Sequence, residues 1–173
     1  MKMPNLTMLV AATALIGATT GSVRAEPVKI EAVISIKTES KLELADGSKR
    51  YLLATQREGT ASGNGPLAGT TMLEWGVHDV TPGIGTNGNG YLVFTAPGGD
   101  AAYLKYQFRA VPVAGPDGKS QNLINGFWEV VGSTGKLKGL GGAGTVHINA
   151  VSPRERQWLL EGDLVQVAGE PRK

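Results

Sequence analysis

Val28-Lys29-Ile30-Glu31-Ala32-Val33-Ile34-Ser35-Ile36 decides the fold class. Val28, Ile30, Ala32, Ile34 and Ile36 fall on one face, with Lys29, Glu31, Val33 and Ser35 on the other. An apolar period of two is the pattern of a half-buried strand, whereas an amphipathic helix repeats about every 3.6 residues. The same alternation returns downstream. Ala102, Leu104, Tyr106, Phe108 and Ala110 alternate with Tyr103, Lys105, Gln107 and Arg109.

Working outward, turn chemistry separates further extended segments. Residues 41–45 form a short strand candidate that ends at Asp46-Gly47, a hairpin signal, and residues 50–57 continue beyond it. Residues 59–69 read as a glycine-rich loop, 70–80 as a strand, 82–89 as a break and 90–96 as a strand. Pro97-Gly98-Gly99-Asp100 is a turn, and 112–120 a loop around Pro116-Asp117-Gly118. Strands follow at 124–131, 145–151 and 157–167, the last interrupted near Gly162. No segment carries a capped helical period. Eight or nine short strands at this spacing predict an all-β barrel or sandwich. The glycines are expected mostly between strands, where turns need positive φ.

The 173 residues contain 25 glycines, 9 prolines and no cysteine. Glycine lacks a three-residue period, which excludes collagen. The absence of cysteine excludes disulfides, thiolate metal sites and a cysteine nucleophile. Residues 1–25 read as a secretory signal: Lys2 supplies the positive start, residues 6–18 an uncharged apolar stretch, and Val23-Arg24-Ala25 small residues at −3 and −1. As a helix that stretch rises only about 20 Å, short of a hydrocarbon core of about 30 Å. Cleavage after Ala25 leaves a domain over residues 26–173, periplasmic or secreted, with no membrane span. Loss of Lys2 and Arg24 takes the formal charge from +2 to zero. No basic stripe with interleaved aromatics marks a nucleic-acid partner.

The segment Trp128-Glu129-Val130-Val131-Gly132-Ser133-Thr134-Gly135-Lys136-Leu137-Lys138-Gly139-Leu140-Gly141-Gly142-Ala143-Gly144-Thr145 resembles the strand–turn–strand signature of the allene oxide cyclase and dirigent-like superfamily. Ser133-Thr134-Gly135 stands where the usual form has Gly-Thr-Gly. Trp158-Leu159-Leu160-Glu161-Gly162-Asp163 resembles the closing strand, and Gly99-Asp100 leading into Tyr103-Leu104-Lys105-Tyr106 is similar as well. The resemblance spans Gly99 to Asp163. It implies a single antiparallel eight-stranded barrel with an apolar interior, of the kind that holds small lipophilic molecules in plant relatives. The cyclase's catalytic acid and polar partners lie near its N-terminal strands and find no match in residues 28–40. Relatives of this fold dimerise or trimerise, so a homo-oligomer is among the expectations.

Other motifs yield little. Gly132-Ser133-Thr134-Gly135-Lys136 lacks the spacing of a phosphate loop, and Leu137 replaces its hydroxyl. Gly83-Ile84-Gly85-Thr86-Asn87-Gly88 and Gly139-Leu140-Gly141-Gly142-Ala143-Gly144 precede strands rather than helices, so neither reads as a dinucleotide site. No cofactor is expected. His78 and His147 are the only histidines; with Glu74 or Asp79 they are the raw material of a metal site, but nothing in the spacing joins them, and no metal is expected. Met72, Glu74, Gly76 and His78 share one strand face.

Glu129 is the acid–base candidate. Pointing inward with Phe127, it would have a raised pKa suited to proton transfer; pointing outward, it would pair with a cross-strand lysine or arginine. Leu104, Tyr106, Phe108, Phe127 and Trp128 are the cavity-lining candidates. The leading expectation is a non-enzymatic binder of a small apolar or amphipathic molecule in the barrel interior. The rivals are a cofactor-independent isomerase or cyclase using barrel shape and one buried carboxylate, and an oligomeric interaction protein.

Overall fold

The computed structural model describes residues 25–115 and 117–166. The segment read as a signal lies, but for Ala25, outside the described residues. Eight strands follow one another: β1 (Ala25–Glu43), β2 (Tyr51–Gly63), β3 (Thr71–Thr81), β4 (Gly85–Thr95), β5 (Ala101–Ala114), β6 (Ser120–Ser133), β7 (Leu140–Ala150) and β8 (Glu155–Gln166). Each pairs antiparallel with the next, and β8 returns to β1 from Ala25↔Val165 to Ser35↔Glu155, closing the barrel. Closure leaves no unpaired sheet edge. The one helical turn among the described residues is Gly135–Leu137 between β6 and β7. Among them no helix is long and apolar enough to cross a membrane.

Val28, Ile30, Ala32 and Ile34 all face the interior of β1, as the alternation requires. Each fully buried Ile, Leu or Phe contributes about 1.5–3 kcal/mol relative to exposure. The two ends of the barrel differ. At one end Leu67, between β2 and β3, and Leu137, between β6 and β7, fold inward and are buried over Met72, Phe94 and Ala102. Two contacts hold the Leu137 plug. Thr134 exchanges hydrogen bonds with Ala101, and the Lys136 amide donates to the Asp100 carboxylate at 3.1 Å. The family-like turn is therefore the barrel's stopper. The opposite end stays open.

Several strand limits differ from the sequence expectation. Residues 41–43 belong to β1, which runs on past a bulge between Ile36 and Thr38. Beyond the bulge both faces meet solvent, so the apolar period vanishes while the ladder to β2 continues. Gly59–Gly63 is strand rather than loop, because it pairs with Ile30–Ile34 of β1. Gly85 already pairs with Thr81, so the break at 82–89 shrinks to a tight turn. Strands β5 and β6 extend to Ala114 and Ser120, and β8 passes Gly162 without interruption.

The glycines are also placed differently. Many lie inside strands, where the neighbouring strand or an inward ring occupies the space of a Cβ. A Cβ on Gly88 would overlap the Phe108 ring. One on Gly144 or Gly162 would come within 2.7 or 2.8 Å of the Trp128 ring. Eight strands enclose little volume, so a large inward ring requires a missing side chain opposite.

Candidate functional site

The inner face of β3 is the unusual one. Met72, Glu74, Gly76 and His78 point inward, and the more apolar set of Trp75 and Val77 points out. Glu74 is 0% exposed. Such a carboxylate needs partners, since an unpaired charge in an apolar interior is prohibitively costly. Register supplies them. Arg57 on β2 sits directly opposite Glu74. Its Nη1 donates to Glu74 Oε2 at 2.8 Å and contacts Thr55 Oγ1 at 3.1 Å. From β5, Tyr106 donates its hydroxyl proton to Glu74 Oε1 at 2.6 Å. His78 Nε2 lies 3.2 Å from the same oxygen. An ionised carboxylate only accepts, so Nε2 carries the proton.

Gly76 makes this arrangement sterically feasible. A Cβ there would collide with the Tyr106 hydroxyl and stand 2.7 Å from Glu74 Oε1. Burial pushes the Glu74 carboxyl up, but the His78 hydrogen bond, the Arg57 charge and the Tyr106 hydroxyl outweigh it and hold it below the usual carboxylate range. Tyr106 is pushed far up by burial and by the adjacent Glu74 charge, so it remains a neutral donor.

Above this cluster lies the open barrel mouth, a cavity of about 600 Å³. Its walls include Leu53, Phe108, Ala110, Ile124, Ile148 and Trp158, and Arg57, His78 and Arg156 also line it. Phe108 stacks parallel to Tyr106 at 6.1 Å and meets Trp158 at 80°. It also meets His78 edge-on at 5.3 Å. The rings form a rigid apolar collar around a polar floor. Among the described residues two buried donors, Arg57 Nε and Trp158 Nε1, have no hydrogen-bond partner. Such orphans are rare in folded proteins.

The candidates from sequence fall into three groups. Tyr106 and Phe108 belong to this site. Leu104 and Trp128 are buried in the packed interior below it, the Trp128 indole donating to the Thr145 carbonyl at 3.0 Å. Phe127, 61% exposed, and Glu129 lie on the outer face, Glu129 opposite Lys105 in the register, so neither faces the interior. Both faces of β6 carry apolar residues, and the burial of Ile124 and Trp128 settles which one turns in. A shallow outer depression of about 810 Å³ touches Lys105, Phe127 and Glu129 but contains no buried charge. His147 lies on the outer face between Asn125 and Asn149, remote from His78 in the register.

Sequence reasoning missed Arg57, Glu74, His78, Arg156 and Trp158 as one constellation. The detectable signal was the inverted polarity of β3, in which the strand's charged face turns inward.

No family model matches the chain, and no curated protein matches it. Solved structures similar to it include the following three. A β-barrel-like protein from Acinetobacter baumannii aligns with a TM-score of 0.56 at 10% identity, over 86% of this chain and 99% of that one. A protein of unknown function from Clostridium acetobutylicum gives 0.51 at 12% identity, over 80% and 98%. The pterocarpan synthase dirigent protein gives 0.48 at 11% identity, over 93% and 98%. The first two show the fold alone. At that level, the closed eight-stranded barrel implied by the allene oxide cyclase and dirigent-like resemblance is the fold observed.

Proposed function

We propose that the protein binds a small amphipathic molecule in its open mouth, its apolar body against Phe108, Ile124, Ile148 and Trp158 and its polar end on the floor. The observation that carries this reading is the pairing of an apolar-walled cavity of about 600 Å³ with a few polar groups in its lining, Arg57, His78 and Arg156. That volume lies in the range of small-ligand pockets, about 300–1,000 Å³, which likewise combine apolar walls with a few placed polar groups. The direct test is saturable binding of the neutral dye Nile red by wild type and by Ala110→Phe, which fills the cavity. One site per chain, lost in Ala110→Phe, supports the reading. Unchanged binding in the variant, or none in wild type, contradicts it.

One observation favours a second reading, a cofactor-independent isomerase. Glu74 orients His78 by accepting from Nε2, and the imidazole lines the cavity. A base so held can take a proton from a carbon beside a carbonyl and return it to another. The test is His78-dependent uptake of deuterium from D2O by bound 2-acetylnaphthalene. Exchange no faster than in buffer removes this reading. In either case we place the mature chain, residues 26–173, in the periplasm or outside the cell.

A further inference from the structure

We propose that the molecule taken by the mouth is an anion, a carboxylate on a flat apolar body, received by Arg156 and Arg57. This rests on the mouth being a binding site and adds the sign of the ligand's charge and the shape of its body.

The charge inventory is lopsided. Two arginines line the cavity, and among the described residues no aspartate or glutamate does. Glu74 lies beneath the floor and neutralises Arg57 from below. Arg156 has no carboxylate within ion-pair distance among the described residues; the buried Glu74 and the exposed Glu39 act on it only at longer range. Burial and the positive charge of Arg57 both lower the Arg156 pKa, the response of a cation in a place short of negative charge.

Arg156 is also held in place. Its Nη1 donates to the carbonyls of Ser152 and Glu155 at 2.7 and 2.8 Å. A guanidinium fixed on one side presents its remaining donors with little entropy left to lose, and its fork geometry matches a carboxylate. The orphans have the same polarity. Among the described residues both buried unpartnered side-chain atoms are N–H groups, Arg57 Nε and Trp158 Nε1. Neither atom is exposed to the cavity, so it is the two lining arginines that call for a ligand bringing acceptors. The body follows from the collar: Phe108 and Trp158 stand at 80° to each other, an arrangement that receives the edge or face of a planar ring.

The test is calorimetric titration of the full mature chain with naphthaleneacetate and with naphthaleneacetamide, near-isosteres that differ in charge. Charge-assisted hydrogen bonds predict that the acid binds about tenfold tighter or more. Arg156→Gln should abolish that preference, bringing the acid's affinity down to about that of the amide. Trp158→Phe, which removes part of the ring wall, should weaken both probes alike. Equal affinity for acid and amide, both lost in Ala110→Phe, overturns the anion assignment while the binding site stands. Failure of both probes to bind wild type overturns the underlying reading instead.

Discussion

Arg57 and Glu74 face each other across the β2–β3 register and are joined at 2.8 Å, with the carboxylate 0% exposed. The pair is the electrostatic centre of the barrel. Removing one member leaves the other charged and buried, which costs about 3–5 kcal/mol. Glu74→Gln should lower unfolding free energy by about that amount in urea titration. Arg57→Met with Glu74→Met should cost less than Glu74→Gln alone, because it leaves no orphaned charge.

The same pair sets the acid limit. The folded Glu74 carboxyl is held below its ordinary value, whereas the unfolded one titrates near pH of about 4.3. Its contribution is complete above the unfolded pKa and is lost as pH falls through the lower folded value. Wild-type melting temperature should therefore drop as the medium is acidified below that point, and more steeply than in Glu74→Gln. Parallel curves for the two proteins would contradict the assignment.

Gly88 and Phe108 form a packing pair in which one residue's missing side chain accommodates the other's ring. Gly88→Ala should destabilise by about 1–3 kcal/mol through overpacking. Adding Phe108→Leu should recover part of the loss in thermal melts. A neutral Gly88→Ala would show that the ring sits elsewhere.

Gly135 holds φ at +54° within the stopper, against the Asp100 carboxylate. Gly135→Ala should cost about 1–2 kcal/mol for the left-handed backbone alone, with more from the displaced carboxylate. Gly98→Ala is the control: nothing lies within 4 Å of its Cβ position, and it should be neutral.

Much of this barrel was legible in the sequence and the site largely was not, for a physical reason. Alternation in Val28–Ile36 and Ala102–Ala110 reports one buried face, and turn residues report connections. Inner Thr55 and Arg57 of β2 are polar, and its outer face carries Ala54, so the strand has no polarity contrast that reveals its orientation. Glu74, Gly76 and His78 were visible as one face. Their partners Arg57 and Tyr106 come from other strands, by a register that local sequence does not encode. Glu129 was ambiguous because both faces of β6 are apolar. Glycine was misplaced because turns and ring-accommodating strand positions favour the same residue.

The central claim, that the mouth is the binding site, has three natural reporters. The Trp158 ring lines the mouth, Trp128 is bonded in the interior, and Trp75 is exposed outside. Titrating neutral naphthaleneacetamide into nitrogen-15-labelled protein and following the three indole N–H resonances by NMR separates them. The account predicts a saturable shift of Trp158 with Trp75 unmoved. A shift confined to Trp75, or none at Trp158 at saturating probe, would contradict it.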